Sequence, residues 1–156
     1  MDISARLEFA APPTEVYAML TDAKYLDEVC RATASSSHDV DVAGSTTRTT
    51  RSFPAPEAVA RFTGATLTVT EQTVWGEAAA DGGRSGDLQM TVQGQPVSMK
   101  GRLALTSAGA GSVVELTGDL KVSIPLLGRK LEQSTAPTVL AGFRKQQEVG
   151  SRWLTR

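Results

Sequence analysis

Apolar and polar residues alternate through the first nine positions, with Ile3, Ala5, Leu7 and Phe9 on one side and Asp2, Ser4, Arg6 and Glu8 on the other. A period of two is that of a half-buried strand, because successive side chains of an extended chain point to opposite faces. Ala11-Pro12-Pro13-Thr14 ends the alternation. Pro13 suits the first position of a helix, where its φ is already helical and its missing N–H has no partner to lose. Val16, Met19 and Leu20 then form a stripe at i, i+3 and i+4, closed by Thr21-Asp22. Asp22 in turn caps a second short helix carrying Tyr25, Leu26, Val29 and Cys30.

From Thr33 to Val122 the chain is rich in Thr, Val and Ser, with breaks at Gly44, Pro54 to Gly64, Asp81-Gly82-Gly83, Gly94-Gln95-Pro96 and Ala108 to Gly111. Breaks at this spacing predict about six sequential antiparallel strands. Parity supports several of them: Leu67, Val69 and Trp75; Leu88, Met90 and Val92; Val97, Met99, Leu103 and Leu105; Val114, Leu116, Leu120 and Val122. The segment from Pro54 to Phe62 is too proline-rich for a strand and predicts a helical turn after Pro56, placed over a sheet edge. Pro125 to Leu154 returns to helical periodicity, with Leu127, Leu131, Thr138, Gly142 and Val149 near one face and Val139, Leu140 and Phe143 beside it. Such a helix spans roughly 45 Å if unbroken, and Pro137 predicts a kink within it. No repeat, low-complexity tract or linker interrupts the order, so the expectation is one domain over residues 1–156.

Composition narrows the function classes. A chain of 156 residues with 40% apolar and 21% charged residues is globular rather than disordered, and a domain of this size buries about two-thirds of its unfolded surface. Sixteen basic and seventeen acidic residues leave a net charge of -1, so no basic field draws nucleic acid. Arg129, Lys130, Arg144, Lys145, Arg152 and Arg156 gather near the C-terminus, as a solvated helix face that favours the negative end of the helix dipole. The single cysteine excludes an internal disulfide. No secretory leader and no run of about 20 apolar residues is present, so stable membrane insertion is not expected and the cytoplasm is the default location.

The order strand, two short helices, six strands, long helix resembles the START-related superfamily, also called SRPBCC, over the whole chain. The amphipathic first strand, the proline- and alanine-rich cap, the Val16 to Leu20 helix and Thr21-Asp22 are similar to that superfamily's opening. Ile124-Pro125-Leu126-Leu127-Gly128-Arg129-Lys130-Leu131-Glu132 and the closing Trp153-Leu154 resemble a bacterial branch of undefined function. The resemblance implies an α+β helix-grip fold, in which a curved antiparallel sheet of about seven strands wraps around the long C-terminal helix. It also implies a cavity between them, used in relatives for lipids, sterols, polyketides and plant hormones.

On that resemblance, and not on their spacing, Trp75, Met90, Met99, Leu103, Leu116, Val139 and Phe143 are candidates for lining the cavity, with Phe53 and Phe62 near its entrance. Met and aromatic side chains offer large, adaptable apolar area. Polar candidates are fewer. Glu71 shares the parity of Leu67, Val69 and Trp75 and so can point inward, where a buried carboxylate serves as an acid or an anchor; a local bulge or an exposed strand end is the plainer reading. Arg48 and Arg51 have opposite parity, so one of them faces the cavity if the strand is regular, where a guanidinium matches a carboxylate or phosphate head group; surface placement is the plainer reading of each. His38, the only histidine, has no nominated catalytic partner and reads as a surface or pocket-rim residue. Cys30 reads as a small core thiol. One His and one Cys cannot complete a usual zinc site, and the glycine pairs lack the spacing of a phosphate loop. No catalytic residue, metal or cofactor is assigned.

The resulting expectation is a carrier or sensor that shields one small apolar or lipid-like molecule. The alternatives are a cyclase- or aromatase-type enzyme, with Glu71, His38 or Arg48 moving protons, and a cochaperone-like interaction module with a filled core. Ligand identity and oligomeric state stay open.

Overall fold

A computed structural model describes the backbone of residues 1–156 and every side chain except those of Ala58 and Val59. The alternating N-terminal segment forms β1 (Asp2–Phe9), and α1 (Pro13–Leu20) starts on its proline, burying Pro13, Val16, Met19 and Leu20. Asp22 caps α2 (Ala23–Ala32) by accepting a 2.8 Å hydrogen bond from the Lys24 N–H. Six strands follow: β2 (Ser37–Ala43), β3 (Thr46–Pro54), β4 (Thr66–Trp75), β5 (Arg84–Val92), β6 (Val97–Ala108) and β7 (Gly111–Val122). Between β3 and β4 lies α3 (Glu57–Thr63), and the chain closes with α4 (Gly128–Trp153). The β2–β3 and β5–β6 hairpins turn at Gly44 and Gly94, both at positive φ, where a residue without Cβ meets no steric penalty.

The strands make one curved antiparallel sheet in the order β1-β7-β6-β5-β4-β3-β2. Its register carries the apolar parity of each strand onto the concave face. One row across the sheet runs Ala5, Leu116, Leu103, Gly86, Trp75; the next on that face runs Ile3, Gly118, Gly101, Leu88, Thr73, Thr47, and the one after it Leu120, Met99, Met90, Glu71, Thr49. Gly86 has a packing reason: a Cβ there would lie 2.9 Å from Cε3 of the Trp75 indole, which occupies that space. Tyr17 meets Trp75 edge-on at 6.1 Å, and the Arg84 guanidinium stacks 3.8 Å from the Tyr17 ring, so the indole is held from two sides.

The long helix lies against β1, β7 and α2. It buries Leu131, Ala136, Phe143, Val149 and Gly150. Thr138, expected on that face, is exposed, because the buried arc centres on Val139, Gln146 and Gly150 and Thr138 falls beyond its edge. The helix is continuous through Pro137. Three contacts seat it. Glu132 Oε2 accepts the Val122 N–H at 3.0 Å, Tyr25 donates its hydroxyl to the Gln146 carbonyl at 2.8 Å, and Gly150 lets the backbone approach Phe9. The α3 segment packs against β4, an interior strand, and not over a sheet edge. The Pro54 to Gly64 excursion leaves the sheet and returns within it, with Ala55 N–H donating to Ala65 O at 2.8 Å, so the helix caps a hairpin.

Candidate functional site

A cavity opens between the concave face and the two helices α2 and α4. The sheet contributes Ala5 and Leu7 from β1, Val114 and Leu116 from β7, Leu103 from β6, Thr73 and Trp75 from β4, and Thr47 and Thr49 from β3. Opposite them stand Tyr25, Leu26, Val29 and Cys30 on α2, and Phe143 and Gln146 on α4. The volume of the cavity is about 50 Å³, which decides what enters without movement. It is room for a few waters, well below the roughly 300–1,000 Å³ of a site preformed for a drug-sized molecule. A larger occupant therefore needs the walls to part. The next row of the concave face, Val69, Val92 and Val97, is only half-buried.

One charged pair stands in this wall, beside the neutral polar side chains of Thr47, Thr49, Thr73 and Gln146. Arg51, on β3, and Glu71, on β4, face the cavity with side chains 10% and 15% exposed, and Nη2 of the arginine lies 3.3 Å from Oε2 of the glutamate. Nη1 donates to the Thr33 hydroxyl at 3.2 Å, and the Thr33 hydroxyl donates to the Cys30 carbonyl at 2.8 Å, tying the guanidinium to the end of α2. Phe53 carries its ring 5.4 Å from the guanidinium carbon. Arg51 Nε is the one buried side-chain nitrogen or oxygen without a hydrogen-bond partner among the described residues. An orphaned buried donor costs about 1–3 kcal/mol.

The other titratable groups of the cavity stay protonated near neutrality. Burial pushes the Tyr25 phenol up, with the nearby Glu71 charge adding to the effect. Burial likewise pushes the Cys30 thiol up to about 11; Arg51 opposes the shift, while Glu71 and Asp27 add to it. Neither is a ready nucleophile or base, since a thiol reacts through its thiolate and a general base needs a pKa near the working pH.

Of the residues nominated from sequence, Trp75, Leu103, Leu116, Phe143 and Glu71 come together on the cavity wall. Seven do not. Met99 is sealed in the core, with Met90 and Val139 packed half-buried against it. Phe53 lies under Arg51, and Phe62 is exposed on α3. His38 is engaged outside the cavity, where its Nε2 sits 2.6 Å from Asp27 Oδ1 and links β2 to α2; Arg31 holds the other oxygen of Asp27 at 3.0 Å. Arg48 is exposed, because the β3 parity that turns Thr47, Thr49 and Arg51 inward turns Arg48 out. The guanidinium at the cavity is thus that of Arg51. Sequence reasoning missed the threonine wall, whose polar side chains carry no inward signal. It read the α2 stripe as core, which has the same periodicity as a cavity lining.

Among the described residues no cluster of three or more His, Cys, Asp or Glu side chains is arranged to hold a metal ion, and no helix is long and apolar enough to cross a membrane.

A seven-stranded antiparallel sheet curved around a long C-terminal helix, with a cavity between them, is the START-like helix-grip architecture. Within that class the chain belongs to the family described as a protein of unknown function (DUF2505), which it matches over residues 4–154. Solved structures share the fold. TTHA0849 from Thermus thermophilus is 21% identical with a TM-score of 0.63, over 96% of this chain and 97% of that one. A STAR-related lipid transfer protein from Xanthomonas axonopodis is 14% identical with a TM-score of 0.64, over 98% and 85%. A START superfamily protein from Mycobacterium smegmatis is 14% identical with a TM-score of 0.61, over 98% of each. No curated protein matches the chain.

Proposed function

We propose that this protein binds a small, largely apolar molecule in the space between its sheet and its long helix, as a carrier or sensor and without transforming it. The observation that carries the reading is the cavity itself: aromatic and aliphatic side chains from seven elements, Leu20 of α1 among them, converge on it, with one ion pair set among them. Concave apolar sites with a few placed polar groups are the usual form of small-molecule sites. That a fold neighbour is described as a lipid transfer protein agrees with this reading. Burying apolar ligand surface supplies affinity at about 25 cal/mol per Å², so roughly 300 Å² contributes about 7 kcal/mol before the costs of association. Part of that gain goes to parting the walls, which makes the ligand-bound state more open than the empty one.

The test is mass spectrometry of small molecules retained by the protein purified under native conditions, followed by their re-addition to stripped protein. A retained apolar compound that returns in a 1:1 ratio and raises the melting temperature is the expected result. Stripped, folded protein that takes up no fatty acid, sterol, polyketide or fluorescent apolar probe sinks the proposal.

A further inference from the structure

A molecule larger than a few waters reaches the cavity only when its walls part, and the side-chain contacts around α2 show where. This helix carries Tyr25, Leu26, Val29 and Cys30 to the cavity. Its flank towards α4 is tied several times: the Tyr25 ring meets Trp153 edge-on at 5.9 Å, the Tyr25 hydroxyl donates to the Gln146 carbonyl, and Arg156 donates two hydrogen bonds, at 2.7 and 2.8 Å, to the Glu28 carboxylate. Its flank towards the sheet has a single polar tie among the described residues, His38 Nε2 to Asp27 Oδ1 at 2.6 Å. The Arg51 bond to Thr33 lies past the last turn of the helix. His38 sits on β2, an edge strand laddered on one side alone. One short contact therefore joins the roof of the cavity to the edge of the sheet.

That contact changes strength with a proton. Histidine is the side chain whose charge ordinarily changes between pH 5 and 8. At the acid end an imidazolium faces a carboxylate, and the hydrogen bond gains the attraction of opposite charges. At the alkaline end a neutral ring donates one N–H and that attraction is gone. The surrounding charges leave this pair to itself. On α2, Arg31 Nη2 holds the other oxygen of Asp27 at 3.0 Å, and Lys24 is exposed. On β3, Arg51 is the cross-strand neighbour of His38, and Glu71 of β4 balances its charge. Asp39 and Asp41 alternate with His38 along β2 and point to the opposite, exposed face. We propose that the His38–Asp27 contact is a proton-controlled latch: in mild acid it holds α2 against the sheet, and its loosening as pH rises lets α2 part from β2 and opens the cavity. The latch governs the opening itself, whatever enters, and serves the binding function proposed above as its gate.

Cys30, the only cysteine and buried on the inner side of α2, reports the opening in the full chain stripped of small molecules. Its rate of reaction with excess dithiodipyridine follows the population in which the thiol is uncovered. Dividing the rate of His38→Gln by that of the unaltered chain at each pH cancels the common effect of pH on thiol reactivity. Glutamine places a neutral amide N–H where the ring N–H stands and carries no charge at any pH. The ratio should be about two- to fivefold at about pH 5.5, the effect of one partly exposed ion pair, and fall to near one at about pH 8. A purely structural contact would give the same ratio at both, and a pH-independent ratio overturns the latch. Should H38Q fail to fold, Asp27→Asn removes the charge from the other side and should show the same fall with pH; a flat ratio there is equally fatal. Stopped-flow mixing with N-phenylnaphthylamine, an apolar fluorophore uncharged across this range, then tests passage. It should enter the unaltered chain about two- to fivefold faster at the higher pH. Equal entry rates alongside a pH-dependent thiol ratio place the entrance elsewhere and overturn the gate. No uptake of the probe at either pH counts against the binding reading, and the thiol ratio alone then decides the latch.

Discussion

Cys30 and His38 are the two side chains a chemist would first suspect, and the fold removes both from the candidate chemistry in different ways. His38 is spent on Asp27, bridging an edge strand to α2. Cys30 is buried among apolar neighbours with its thiol pushed up to about 11 from an ordinary 9.0. The sign of the stability effect follows from proton linkage. A folded pKa above the unfolded one means the folded state holds the proton more tightly, so the contribution is complete below pH 9 and is lost as pH rises towards 11. Urea unfolding should therefore show a loss on the order of 1–2 kcal/mol beginning near pH 9, and Cys30→Ala should remove the part that precedes pH 10, above which the buried Tyr25 phenol adds its own loss. An equal loss in the variant would assign the alkaline sensitivity to another group. Sequence sufficed to read this thiol as core, because the i, i+4, i+5 spacing of Tyr25, Val29 and Cys30 is that of a buried stripe. It could not choose between Arg48 and Arg51, since β3 carries a single large apolar residue, Phe53 near its end, too little to set a parity that reveals which face is inward.

At the scale of elements, the order was legible because every connection except residues 33–36 carries Gly, Pro or Asp and each core strand keeps its own parity. The exceptions have physical causes. The Pro54 to Phe62 stretch announces a helical turn but not its neighbour, which depends on where β4 returns to the sheet. Within α4, the apolar positions are sparse enough that Thr138 fits the stripe as well as Gln146 does, and only the packing against β1, β7 and α2 settles the arc. Two glycines of that helix make opposite predictions. A Cβ at Gly142 meets nothing within 4 Å, so Gly142→Ala should stabilise by about 0.5–1 kcal/mol through the lower backbone entropy of the unfolded chain. A Cβ at Gly150 would lie 2.5 Å from Phe9 Cε1 and 3.0 Å from Met19 Cε, both buried, so Gly150→Ala should cost about 1–3 kcal/mol despite its better helix propensity. Thermal melts of the two variants check this directly; a stabilised Gly150→Ala would mean the helix can lift away from β1 at little cost.

For the molecule as a whole, the decisive quantity is the difference between a concave face large enough to enclose a ligand and a void that admits a few waters. No sequence pattern separates an apolar core from an apolar cavity lining, since both need the same side chains at the same spacing. Three of the nominated residues, Met90, Met99 and Val139, went into core packing for that reason. The fold resemblance led from the order of elements to a hollow under the last helix, and its width depends on how far α2 and α4 settle onto the sheet. Opening is a population question. If the ligand-competent form is a minor one, apparent affinity falls in proportion to its share.

The last helix rests on β1 and β7, while α2 alone bridges from it towards β2 and β3. Rigidity is therefore unevenly distributed along a continuous hydrogen-bonded sheet. Amide protons of β6 and β7, laddered on both sides, and those of β1 that bond to β7 should exchange with deuterium slowest, and those of the edge strand β2 fastest among the strands. A uniform rate across all seven would contradict the asymmetry. The half of the sheet that carries Arg51 and Glu71 is then also the half free to breathe, so an incoming molecule can be admitted there while the anchored half keeps the architecture intact.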